Sequence, residues 1–171
     1  MKNALIITEV TVTETYINQL SSLLVEVVKK GASIGFIPPF GDRDANQYWQ
    51  QVAGSDTVLM IAEIDQTIVG TVQLDLCTKS NGLHRAELVK LMVHPDYQGK
   101  GIGRELMIKA EEAAVERNRS LIVLDTRKGD LSNRLYLSMG YTCAGEIPSY
   151  AMSAEGSLDP TVFYYKLLKP S

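Results

Sequence analysis

The spacing of apolar residues changes several times along the chain, and each change marks a predicted element. Leu5 to Val12 reads as a strand. From Thr13 the apolar positions fall at Tyr16, Ile17, Leu20, Leu23, Leu24 and Val27, the spacing of one helix face, with Thr13 as N-cap and Gly31 as C-cap. The next segment, Gly31 to Gly41, has too much glycine and proline for a helix interior and is too apolar for a solvated linker, so it is expected to cover something. A second helix is predicted from Asp44 to Val52, ended by Gly54. Thr57 to Ile64 and Thr67 to Leu76 are β-rich runs joined by the two residues Asp65 and Gln66, the length of a hairpin connection, and Ala86 to Val93 adds a third strand.

Helical spacing returns at Ile102, where Leu106, Ala110 and Ala113 mark the buried face and Glu111, Glu112, Glu116 and Arg117 the wet one. Leu121 to Leu124 is apolar without alternation, the signature of a strand covered on both faces. A helix from Leu131 to Met139 ends at Gly140, and the tail is β-like, with Thr161 to Leu168 its clearest strand. Strand, glycine turn, helix and strand from Ala86 to Leu124 imply a parallel pair with a right-handed crossover. The expected fold is α/β: a mixed, mostly antiparallel sheet with helices on its faces, and a ligand site beyond the carboxyl ends of the parallel pair.

At 171 residues, 45% hydrophobic and 22% charged, the chain suits a single domain, 1–171, with a full core. A formal net charge of -3 gives no reason to expect nucleic acid as a partner. The first apolar run is too short for a signal peptide and none approaches membrane-spanning length, so a cytoplasmic protein with no membrane partner is expected. Cys77 and Cys143 show neither metal-ligand spacing nor a disulfide framework and are expected to be buried small hydrophobes. His84 and His94 read as turn or packing residues, and no metal is expected. Tyr164 and Tyr165 should face opposite sides of their strand.

Candidate chemistry concentrates between Val93 and Arg104. Gly99, Gly101 and Gly103 at alternate positions allow a tight turn whose N–H groups, with the N-terminus of the next helix, face one point, and Lys100 and Arg104 stand by as counter-charges. Either an anion cradle or an ordinary strand-to-helix connection satisfies this pattern. A Walker A loop is excluded because Gly101, not Ser or Thr, follows Lys100; a dinucleotide fingerprint fails because its spacing is Gly-x-Gly-x-x-Gly on the first strand.

Gln98-Gly99-Lys100-Gly101-Ile102-Gly103 resembles the Gln/Arg-x-x-Gly-x-Gly/Ala signature of the GNAT superfamily of N-acetyltransferases. Leu91-Met92-Val93-His94-Pro95 runs into it as in that superfamily, and Leu135 to Tyr141 resembles its Leu-Tyr-x-x-x-Gly-Phe/Tyr element. The segments Leu124 to Asp130, Ile147 to Ser153 and Thr161 to Lys166 are similar to the branch containing the tabtoxin-resistance acetyltransferases, which acetylate the amine of a β-lactam amino-acid toxin.

The resemblance implies acetyl-CoA as cosubstrate, held at its pyrophosphate by Gln98, Gly99, Lys100, Gly101, Ile102, Gly103 and Arg104, and along its pantetheine arm by backbone at Leu91, Met92 and Val93. It implies a general base at Glu87, eleven residues before Gln98, and a proton or hydrogen-bond donor to the leaving thiolate at Tyr136. For Glu87 the competing reading is a strand carboxylate paired with Arg85 or Lys90; for Tyr136, a core tyrosine. A backbone N–H near Val93 is expected to meet the oxyanion. Many superfamily members carry a pantetheine-binding Asn seven residues before the tyrosine; this chain has Gly129 there, with Asp130 and Asn133 as substitutes.

Recognition of the acceptor is expected from Ile34 to Phe40, Asp75 to His84 and Ser149 to Met152, with Phe36, Phe40 and Tyr150 either walling the substrate or closing the core. The expected function is direct acetyl transfer to a small amine, an amino-acid-like toxin, antibiotic or metabolite. A protein or peptide N-acetyltransferase and a non-catalytic acetyl-CoA-binding module are the alternatives, and a homodimer is left open.

Overall fold

The computed structural model describes residues 4–53 and 55–170. In chain order it contains β1 (Leu5–Val10), α1 (Glu14–Lys29), α2 (Asp42–Val52), β2 (Thr57–Ile64), β3 (Thr67–Leu76), β4 (Arg85–Val93), a 3-10 turn (Pro95–Tyr97), α3 (Ile102–Glu116), β5 (Leu121–Arg127), α4 (Ser132–Ser138), β6 (Thr142–Met152) and β7 (Leu158–Leu167). The seven strands form one sheet in the order β1-β2-β3-β4-β5-β7-β6. Neighbours are antiparallel except β4 and β5, which run parallel. This is the mixed α/β fold expected from the sequence.

Alternation along β2 shows how the layers form. Val58, Met60 and Ala62 join Leu106, Ala110 and Ile122 in a core under α3, while Leu59 and Ile61 join Leu20, Leu24 and Trp49 under α1 and α2. A strand covered on both faces has no polar side to show, which is why β2 reads as a continuous apolar run. The β2–β3 hairpin turns through Asp65 and Gln66, both at positive φ, as the right-handed strand twist requires.

Gly70 decides how closely α3 approaches the sheet. A β-carbon there would stand 3.1 Å from Leu106 Cδ1 and from the Met92 carbonyl, and 3.3 Å from Ile102 Cγ2. Gly70→Val is therefore expected to lift the start of α3 and destabilise the fold by about 1–3 kcal/mol, measurable as a lower denaturant midpoint.

Several boundaries depart from the sequence reading. β1 stops at Val10, and α2 begins earlier, at Asp42, where the Gly41 N–H donates to Asp44 Oδ2 at 2.9 Å. Gly54, read as the end of α2, lies outside the described residues, as do Met1 to Asn3. β5 continues past Leu124 to Arg127, and β6 is an eleven-residue strand that apolar patterning did not mark, because it is exposed along almost its whole length. Cys143 lies on β6 and is exposed, and Cys77 is only half-buried, which corrects the expectation of two buried thiols. Glu111 is not on the wet side of α3: its carboxylate pairs with Lys166 at 2.7 Å. Tyr164 is 4% exposed and Tyr165 36%, so the former is the core member of the pair.

Candidate active site

The parallel pairing of β4 and β5 runs only through Arg85–Leu121, Ala86–Ile122 and Glu87–Val123. Beyond Glu87 the two strands splay, although β4 continues to Val93 and β5 to Arg127. The gap opens into a cavity of about 380 Å³ walled by both strands, Tyr136 of α4 and the segment Ala32 to Gly35. Splaying leaves the flank of β4 that faced β5 without a neighbouring strand after Glu87, so an extended chain carrying amides has an edge to pair with.

A bulge in β4 sets which side chains meet there. Thr71 of β3 pairs with Met92 but Gln73 with Val89, so Lys90 and Leu91 together face the single residue Val72. Lys90 sits at the bulge with φ +54°. Ala86 and Leu88, before it, pack in the α3 core, whereas Met92, after it, packs under α1 and α2. The bulge has shifted the alternation by one, and Glu87 and Lys90, three residues apart, project from the same face.

The Glu87 carboxylate has no hydrogen bond or ion pair to another described residue, and the pairing with Arg85 or Lys90 is not made; Arg85 instead reaches Cys77 Sγ. Glu87 is open to solvent at the cavity wall, yet partial desolvation, followed by the charges of Asp125 and Asp75, holds its carboxyl above the ordinary glutamate range against the opposing pull of Lys90 and Arg85. Asp75 and Asp125 are themselves tethered, accepting from Thr57 and Thr161 hydroxyls at 2.7 Å each.

Tyr136 enters the cavity from the opposite wall. It is 5% exposed, with ring centroids 5.7 Å from Tyr164 and 5.9 Å from Tyr141, and its hydroxyl has no hydrogen-bond partner among the described residues. Burial first, then Asp125 and Asp130, push its acidity far down, so the phenol stays protonated and keeps a proton to donate at neutral pH. The ring packs as a core tyrosine does, while the hydroxyl bonds to no described residue.

At the far end of β4 the glycine turn makes a cradle. Gly99 and Gly101 have φ +76° and +82°, and Gly101 is the N-cap of α3. The N–H groups of Gly99, Lys100, Gly101, Ile102, Gly103 and Arg104 donate to no other described residue, which leaves a row of donors at a helix N-terminus. Gln98 Nε2 donates to the Val93 carbonyl at 3.2 Å and closes the turn onto the strand. Lys100 Nζ reaches the Asp96 carbonyl at 3.3 Å and lies 4.8 Å from the Tyr97 ring centroid, and Arg104 ties α3 to Ser138 of α4 at 2.6 Å. An anion of pyrophosphate type fits these donors. His94 caps the 3-10 turn, its Nδ1 accepting from the Asp96 N–H.

A family model described as the acetyltransferase (GNAT) family matches residues 25–141, which contain the strand, the glycine turn and the tyrosine helix. The chain belongs to this family. An N-acetyltransferase of Archaeoglobus fulgidus without assigned substrate is 39% identical over 85 residues, 48% of this chain and 58% of that protein. The human N-acetylaspartate synthetase is 31% identical over 110 residues, 64% of this chain and 35% of that protein. The chain thus spans about a third to just over half of the length of these curated relatives. Among solved structures, a Salmonella typhimurium protein, yncA, described as an acetyltransferase and solved with its cofactor acetyl-CoA, superposes with a TM-score of 0.81 at 18% identity, covering 99% of this chain and 96% of that one.

In this GNAT protein the substitutes for the missing Asn are engaged by the protein itself. Asp130 lines the cavity but accepts from Arg127 Nε at 3.1 Å. Asn133 donates twice, to the Arg127 and Asp130 carbonyls at 2.9 Å, and accepts from the Tyr164 hydroxyl at 2.8 Å, which fixes the turn between β5 and α4. Arg127 also reaches the Gly31 carbonyl and Asp159, tying the covering loop to β7.

That loop does cover something. Ile34, Phe36 and Phe40 pack against the α1–α2 core, and Phe36 also lines a smaller neighbouring cavity of about 260 Å³. Tyr150 walls the main cavity, edge-on to Phe163 at 5.7 Å. The segment Asp75 to His84 contributes no wall to either cavity. Lys90, Asp125 and Arg127, which the sequence did not single out as site residues, all line the main one.

Proposed function

We propose that the protein moves the acetyl group of acetyl-CoA directly to the amine of a small molecule. The observation that carries this reading is the pairing, in one cavity, of the Glu87 carboxylate and the Tyr136 hydroxyl, neither with a partner among the described residues. Acetyl-CoA, when bound, supplies an acyl thioester. The free N–H groups from Gly99 to Arg104 hold its pyrophosphate, and the open flank of β4 at Leu91, Met92 and Val93 pairs with the amides of its pantetheine arm. Glu87 accepts the proton that an incoming ammonium must lose before its nitrogen can attack. Tyr136 donates its hydrogen bond to the sulfur as charge gathers there, and a backbone N–H near Val93 faces the carbonyl oxygen. Asp130 is carried as a pantetheine contact beside its bond to Arg127; Asn133 contributes by holding the turn.

Neither cysteine lines the cavity, in keeping with direct transfer rather than an acetylated enzyme. An amino-acid-like toxin, antibiotic or metabolite in the cytoplasm is the acceptor we infer. The cavity volume suits a small amine, one relative is named N-acetylaspartate synthetase, and Asp125, Arg127, Asp130, Tyr150 and Ala151, which lie in the segments similar to the toxin-resistance branch, line the cavity. Among the described residues no helix is long and apolar enough to cross a membrane.

The test is release of free thiol from acetyl-CoA in the presence of a panel of small amines. Coenzyme-dependent release with one of them is expected. Tight coenzyme binding with no release from any amine would leave a non-catalytic acetyl-CoA-binding module. The cradle has its own check: Gly101→Val forces a side chain into the left-handed region and is expected to weaken coenzyme A binding about tenfold or more in a calorimetric titration. Gly103→Ala should change it little, since a β-carbon there makes ordinary contacts of 3.6 Å with Leu135 and 3.9 Å with Val93.

A further inference from the structure

Lys90 is a cation on the acceptor side of the cavity to which transfer chemistry assigns no task. The bulge turns it onto the same face as Glu87, and both line the cavity. Its ammonium lies 5.3 Å from the Phe36 ring centroid and 5.9 Å from that of Tyr48, and a β-carbon on Gly35 would stand 3.1 Å from Nζ. The covering loop and α2 close around this group, with Phe36 of the loop and Tyr48 of α2 near it and no side chain at Gly35 to fill its place.

What the ammonium lacks is an anion. No carboxylate of a described residue lies within ion-pair distance of it, and no described residue accepts a hydrogen bond from it. Of the polar groups around it, Tyr48 bonds to Gln73, Asp75 to Thr57 and Asp125 to Thr161, while Glu87 stays unpaired for the acceptor's ammonium. Burial holds the Lys90 ammonium below the ordinary lysine range, only partly opposed by the charges of Asp75, Asp125 and Glu87, so a ligand anion at Nζ would complete the site. The coenzyme's phosphates are poorly placed for the role, because the glycine turn leads into α3, on the other face of the sheet.

We propose that Lys90 binds a carboxylate carried by the acceptor, so that the substrate is an amino acid whose ammonium is presented to Glu87 while its acid group is held at Nζ. This rests on the transferase reading above and narrows its substrate class. A half-buried ammonium between two rings rewards an anion with a charge-assisted hydrogen bond and penalises a neutral group that leaves it unmatched.

The experiment compares the proteinogenic L-amino acids with their α-carboxamides, scoring kcat/KM by thiol release from acetyl-CoA and binding by calorimetry on protein saturated with coenzyme A. For the preferred side chain, the wild type should favour the acid over the amide by about 10- to 100-fold. Lys90→Met, of similar length, should bring that ratio near unity without changing coenzyme A affinity, and Lys90→Arg should restore part of it. An acid-to-amide ratio near unity in the wild type, or one unchanged in Lys90→Met, overturns the assignment. Turnover confined to amines without an acid group leaves the transferase reading standing and removes the role of Lys90. Acid-selective binding that disappears in Lys90→Met, with no acetyl-CoA consumed, does the reverse.

Discussion

Glu87→Gln is expected to lower kcat with a good acceptor by about 10²- to 10⁴-fold near neutral pH, with coenzyme A affinity unchanged. The amide keeps the shape of the side chain and removes its ability to take a proton. The wild-type pH profile should carry an acid limb from this group. Because its carboxyl is held above the ordinary glutamate range, activity is lost on acidification at a higher pH than an unperturbed glutamate would give, and the limb should vanish in the variant. Stability moves the other way. A carboxyl whose folded pKa is raised binds its proton more tightly in the folded state, so its contribution to stability is present at low pH and is lost as pH rises through the folded value. At neutral pH the variant should therefore melt no lower than the wild type, and a fall in turnover cannot be ascribed to unfolding. Equal turnover in the two proteins would remove Glu87 from the mechanism.

How far the site could be read from sequence depends on the kind of signal each part leaves. The glycine turn was legible because its backbone needs positive φ at Gly99 and Gly101, and that requirement selects the residue type directly. Glu87 and Tyr136 were candidates through the family resemblance, and both line one cavity. The helices α1 and α3 were legible because a face buried on one side repeats with the helical period, and β2 because two buried faces leave an unbroken apolar run.

Other parts left no such trace. β6 pairs with β7 alone at the edge of the sheet and buries almost nothing, so its eleven residues show no apolar period. Lys90 was hidden for a different reason. Strict alternation from Glu87 puts it on the opposite face, and only the bulge, which depends on the pairing with β3, brings it round. Glu111 was misplaced because its helix position is polar by composition, while the Lys166 that accompanies it inward comes from β7, fifty-five residues away. Tertiary pairing decided all three, and a local pattern does not encode its partner.

Tyr136→Phe is the second large effect expected: a loss of about 10²-fold in the acetyl-transfer step, read in single-turnover measurements, with coenzyme A binding within error of the wild type. The reasoning turns on what the hydroxyl does in the resting protein. A buried phenol normally bonds to something, and deleting it then strands a partner and costs stability. Here the ring makes the packing contacts, to Tyr141 and Tyr164, and no described residue receives the O–H. Phenylalanine preserves those contacts and strands nothing, so the melting temperature should stay level or rise while the rate falls. The same burial that raises the phenol's pKa keeps its proton in place across the working pH range, so the variant should lower the whole pH–rate profile without moving the acid limb expected from Glu87. A loss of stability in step with the loss of rate would instead make Tyr136 a packing residue, and the departing thiolate would then have to draw its hydrogen bond from elsewhere in the cavity.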